Sequence, residues 1–184
     1  MTLRRRTGDD AALAYVAASV LTATVGIAAA ALIHGTWWSI TGHALSDLGA
    51  VGVDHAWVFN ASLVLAGVLG LLGAAQLAPS RGRVLAAAGF ALLAGVGLFP
   101  EGTALHAPLA VGFFLVETAG VATLGLERGV AATAGVALGG AIGGLLAGVL
   151  VPGVALAEVV WSLGLAAGLL LLLLPEGAQG SPVT

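Results

Sequence analysis

The side chains that can do chemistry in this sequence are few, and Glu117 stands apart from the rest. It sits in an uninterrupted apolar run, about eleven residues in, near mid-membrane if the run is a spanning helix at about 1.5 Å per residue. A carboxyl group there is costly and ordinarily faces a bundle interior with a partner. His106 lies eleven residues earlier on the same helical face, with Ala110 and Phe113 between. Two readings fit Glu117: a protonated acid hydrogen-bonded to a neighbouring helix, or a proton-relay, ion or ligand group.

The densest polar string is His43-Ala44-Leu45-Ser46-Asp47-Leu48-Gly49. On a short helix His43, Ser46 and Asp47 share a face, an arrangement that can orient an imidazole, ligate a metal or bind a headgroup. The structural alternative is a turn capped by Ser46 or Asp47 and ended by Gly49. Asp54 is expected to cap the helix that follows it, leaving His55 interfacial, and Asn60 lies one to two turns inside that helix. Glu101 and His106 flank a turn after Pro100; Glu158 and Ser162 are spaced i, i+4 beside Trp161. Together these predict an outward polar pocket lined by the first loop and spans two, four and six. His43, Ser46, Asp47, Glu101 and His106 are its candidate catalytic residues. Asn60, Glu117, Glu158 and Trp161 are candidate ligand contacts. His43, Asp47 and His106 are a candidate metal set.

The elements that must position these groups are legible from composition. The 184 residues are 59% hydrophobic and 8% charged, with six Arg, no Lys and nine acids, net charge −3. Soluble domains carry roughly a quarter charged residues. So little charge excludes a soluble enzyme and a disordered chain, and six Arg give no footprint for nucleic acid. The absence of Cys excludes thiol chemistry, Cys-ligated metals and a disulfide scaffold.

A helix needs about 20 apolar residues to cross a bilayer. Six such runs are present, at about 11–33, 56–78, 84–99, 105–126, 130–151 and 154–174. Continuous apolar runs exclude an alternating β-barrel. The expected fold is all-α: a polytopic bundle of six transmembrane helices forming one domain over 1–175, with a long outer loop at 34–55 and a tail at 176–184. The first run exceeds the 7–15 residues of a signal-peptide core and reads as a retained span. Arg4, Arg5, Arg6, Arg81, Arg83 and Arg128 all fall on one face, which the positive-inside rule makes cytoplasmic, with both termini. All four His gather at the opposite face. The apolar outer loop, with Trp37 and Trp38, is expected to lie at the interface or dip into the bundle. Span five carries two offset glycine ridges, Gly135/Gly139/Gly143 and Gly140/Gly144/Gly148, suited to packing within the bundle or to a homo-oligomer.

Ser46-Asp47-Leu48-Gly49-Ala50, then Phe59-Asn60, Phe99-Pro100-Glu101 and His106, resemble in order and spacing an uncharacterised prokaryotic membrane family, filed as domain of unknown function 998. The resemblance covers almost the whole chain. It implies a six-span membrane protein and marks Ser46, Asp47, Gly49, Asn60, Pro100, Glu101 and His106 as motif positions, but implies no activity.

Three functions compete. The first is a membrane-embedded, metal-dependent hydrolase or lipid-modifying enzyme, with Zn²⁺ as the candidate cofactor. Its analogy to alkaline-ceramidase-like hydrolases lacks their His-x-x-x-His signature. The second is a binder or carrier of a lipid or small amphiphile, using Glu117. The third is an accessory subunit that docks a partner through the outer loop. Haem fits poorly, because paired His on facing spans are absent. Membrane lipids are the expected surroundings in every case.

Overall fold

A computed structural model describes residues 3–173. The tail at 176–184 lies outside the described residues. The chain is all-helical: α1 (Leu3–Ile33), α2 (Trp57–Gln76), α3 (Arg81–Leu98), α4 (His106–Glu127), α5 (Ala131–Leu150) and α6 (Ala155–Leu173). Each is long and apolar enough to cross a membrane. This is a six-span integral membrane bundle, as the apolar runs require. Most helix ends fall within one or two residues of the apolar boundaries. Two begin earlier: α1 at Leu3, because the Arg-bearing segment continues the helix, and α3 at Arg81.

Ser80 sets the second of these starts. Its extended backbone and its hydroxyl, accepting from Arg83 N–H at 3.2 Å, form an N-cap. Glu127, at the end of α4, accepts from the Arg81 and Gly82 N–H groups, both at 3.2 Å, placing a carboxylate on the positive end of α3. Arg128 meets Asp9 of α1 at 3.0 Å. Substituting Ser80 by alanine should lower unfolding stability in detergent by about 1 kcal/mol, without changing the helices seen by circular dichroism.

Each of the first four helices packs chiefly on its sequence neighbours, making an up-and-down arc. Glycine lets the backbones approach: a Cβ at Gly67 would lie 2.6 Å from Ala94 N, and one at Gly120 2.6 Å from Ala86 N. The helices α5 and α6 form a second tight pair. They join the arc through α4, and α6 meets α1 only sparsely. The glycines of span five divide along the helix and not ridge by ridge. Gly140 and Gly144 face α6, and Gly143 and Gly148 also meet it, at Val160 and Ala157, whereas nothing lies within 4 Å of a Cβ at Gly135 or Gly139.

The long loop dips into the bundle. Leu48 is fully buried and Leu45 nearly so, packed with Phe59, Leu63 and Val96. Between them the chain makes a short 3₁₀ turn, Ser46–Gly49. Trp37 and Trp57 stay exposed. Asp54 does not cap α2: Ala56 is the N-cap and no side chain caps it. The chain enters α2 through His55, held at φ 57, whose carbonyl accepts from Val58 N–H at 2.9 Å.

Candidate functional site: an intramembrane cavity beneath the loop

The loop is fastened by its own polar groups. His43 Nδ1 accepts from the Ser39 N–H at 3.1 Å, and Asp47 Oδ2 accepts from the Ala44 N–H at 2.9 Å. Trp38 Nε1 donates to the Ala44 carbonyl at 2.8 Å. Two backbone bonds join the loop at Thr41 and His43 to the α5–α6 turn and the start of α6: Gly153 N–H to Thr41 O and Ala155 N–H to His43 O. Gly153 has no room for a side chain there, since its Cβ would lie 2.5 Å from His43 N. Asn60 Nδ2 donates to Gly49 O at 2.9 Å, and Glu158 Oε2 accepts from Leu45 N–H at 2.8 Å. Most of the polar string thus fixes the loop, which is the capped-turn alternative of the sequence.

His106 ties a second turn. Its Nδ1 contacts the Phe99 carbonyl at 2.9 Å. A carbonyl only accepts, so Nδ1 carries a hydrogen. Its Nε2 stands 3.0 Å from Glu101 Oε2. Both ring nitrogens are committed, so the imidazole has none free to serve Ser46 as a general base. Val51 N–H donates to Glu101 O at 2.9 Å, joining this turn to the loop. Among the described residues no three His, Asp or Glu side chains are grouped to hold a metal ion, so His43, Asp47 and His106 do not come together as a metal set.

Beneath the loop lies a cavity of about 430 Å³. Its walls are α1, α2, α3, α4 and α6, and Trp38, Ile40, Leu45 and Ser46 roof it. The expected pocket was polar and bounded by the loop and spans two, four and six. The observed one has two further walls and is lined mostly by apolar side chains, because α1 and α3 complete the arc around it. Of the candidate residues, Ser46, His106, Glu117 and Glu158 line it. His43, Asp47, Glu101, Asn60 and Trp161 do not. Trp161 instead donates to Thr118 Oγ1 at 2.8 Å and packs on Phe114, holding α6 to α4.

Glu117 is at the deep end. The face inferred from its spacing is the lining face of α4, since His106, Ala110 and Phe113 share the cavity with it. Its side chain is 1% exposed, and neither carboxyl oxygen has a hydrogen-bond partner among the described residues. The carboxyl packs against Gly89 of α3, where any Cβ would collide with it. An unpartnered buried carboxyl costs several kcal/mol in an apolar medium.

The contribution of α1 was not singled out in the sequence. Ser19, Ala23 and Ile27, at four-residue spacing, line the cavity, and Ser19 Oγ donates to Ala66 O at 2.7 Å. Thr24 and Ala28 of α1 and Leu163 of α6 line it and are also exposed on the outside of the bundle. The cavity therefore opens sideways along the sparse α1–α6 seam. A second, shallower pocket of about 330 Å³ lies on the loop side, lined by His34, Trp37, Asp54 and His55 among others.

A family model described as a protein of unknown function (DUF998) matches residues 16–175. No curated protein and no solved structure matches the chain.

Proposed function

The chain belongs to the DUF998 family, whose function is unknown, and we propose that this member binds a small amphiphile drawn sideways from the bilayer. The observation that carries this is the unpartnered Glu117 carboxyl on the wall of a cavity of about 430 Å³. That volume lies within the range of small-molecule pockets, which pair apolar walls with a few placed polar groups. The seam between α1 and α6 supplies access from the membrane. The hydrolase alternative draws no equal support: the His, Asp and Ser side chains it needs are spent on the loop or stand without a free base.

Fluorescence tests this. Trp38 roofs the cavity, and a variant keeping it as the single Trp reports on occupancy. In lipid nanodiscs, 8-bromo-octan-1-ol should quench Trp38 along a saturating curve. A single-Trp57 variant, with Trp57 exposed, should be quenched in proportion to quencher. Ala110→Phe, which fills the cavity, should remove the saturating component. Linear quenching of both tryptophans would overturn the binding function.

A further inference from the structure

We propose, resting on the cavity as a binding site, that its ligand is a lipophilic amine whose ammonium group is held by Glu117 and whose chain runs back toward the α1–α6 opening.

The charged groups of the lining are all acidic, and the hydroxyls of Ser46 and Ser162, which can donate or accept, are its other free polar groups. Glu117 presents two oxygens with no donor. Glu158 adds a second carboxyl near the loop, with one oxygen taking the Leu45 N–H. His106 has both nitrogens engaged by Phe99 and Glu101. The Ser19 hydroxyl hydrogen goes to Ala66 O and that of Thr24 to Val20 O, so each keeps only lone pairs for the cavity. No Arg lines the cavity, and the sequence has no Lys.

A ligand that satisfies Glu117 must bring donors, and positive charge suits the two carboxyl groups better than negative. A carboxylate or phosphate head would meet two carboxyl groups and no free cation. An alcohol brings one donor, whereas a primary ammonium brings three and forms charge-assisted bonds with a carboxylate. The walls suit the same head: Phe90, Phe113 and Phe114 are among the lining residues, and aromatic rings attract a cation. Glu117 lies about eleven residues into its helix, so the head must reach mid-membrane. A small ammonium paired at its destination can do so, whereas a zwitterionic phospholipid head would bring a phosphate against the two carboxyl groups.

Competition against 8-bromo-octan-1-ol in the single-Trp38 protein tests the assignment, with competitor concentrations counted in the membrane. Octylamine, octan-1-ol and octanoate share one chain length and differ in the head. Octylamine should displace the quencher at roughly one-tenth the concentration of octanol, a margin typical of one charge-assisted bond, and octanoate should be weaker than octanol. Glu117→Gln, close to isosteric, should bring octylamine and octanol within about twofold of each other. Octanoate competing as well as octylamine would overturn the amine assignment, as would an octylamine advantage that survives Glu117→Gln. In either case saturable quenching would leave the binding site standing. Loss of saturable quenching in the unsubstituted cavity would bring down both.

Discussion

Replacing Gly140 by valine lowers the stability of the bundle by ~3 kcal/mol or more, and replacing Gly139 by valine changes it by less than ~0.5 kcal/mol. The two positions are neighbours in one helix and share composition, hydropathy and propensity. They differ in what they face. A Cβ at Gly140 would lie 2.6 Å from the Gly164 Cα, and one at Gly164 would lie 2.5 Å from the Gly140 Cα. The obstacle on each side is backbone, so no rotamer change relieves it, and α5 and α6 must move apart along their length. Dispersion contacts hold helices together in lipid, where the hydrophobic effect does not, so separation forfeits them directly. Gly139 has nothing within 4 Å of its Cβ. Unfolding by sodium dodecyl sulfate in mixed micelles measures the pair, and equal losses would contradict the α5–α6 packing. The Gly139 variant also reads the homo-oligomer expected from the sequence: a fall in particle mass at unchanged stability would assign the outward face at Gly135 and Gly139 to self-association.

His106→Ala is the second large effect, a loss of ~3 kcal/mol. His106 is 3% exposed and joins the first turn of α4 to both Phe99 and Glu101. Removing the ring leaves the Phe99 carbonyl without its donor and the Glu101 carboxyl without its partner. It also enlarges a cavity already present. Two conservative variants divide the loss. Asparagine places an amide nitrogen near the Nδ1 position and can donate to Phe99. Glutamine reaches the Nε2 position and can donate to Glu101. Glu101 is 40% exposed, so water can replace its partner; asparagine should therefore recover more stability than glutamine. Thermal unfolding of the three variants in detergent decides it, and a larger rescue by glutamine would show the Glu101 contact to be the dominant tie.

The six spans were legible because each is a long apolar run. Their ends were less so, since a helix end depends on single side chains: Ser80 starts α3 at Arg81, ahead of the apolar stretch, and Asp54 stays outside the start of α2 despite being a favourable cap type. The α4 face from His106 to Glu117 could be read because polar groups at helical spacing inside an apolar run stand out. The opposite wall could not. Ser19, Ala23 and Ile27 are the residue types that also face lipid, and no periodicity separates the two environments when the solvent is itself apolar. His43 and Asp47 carried a strong chemical signal yet bond to backbone N–H groups within their own loop. Spacing shows that such residues meet, but not whether the backbone claims them first.

The sparse contact between α1 and α6 bears on how the molecule is made. All six helices find their main partner next to them in the chain, a low-contact-order arrangement that can build up in the order of synthesis. Only the cavity escapes that order: its walls include α1 and α6, the first and last of the six helices, so it closes only once α6 has been made. A chain that ends before Ala155 keeps α1–α5 and lacks the α6 wall of the cavity.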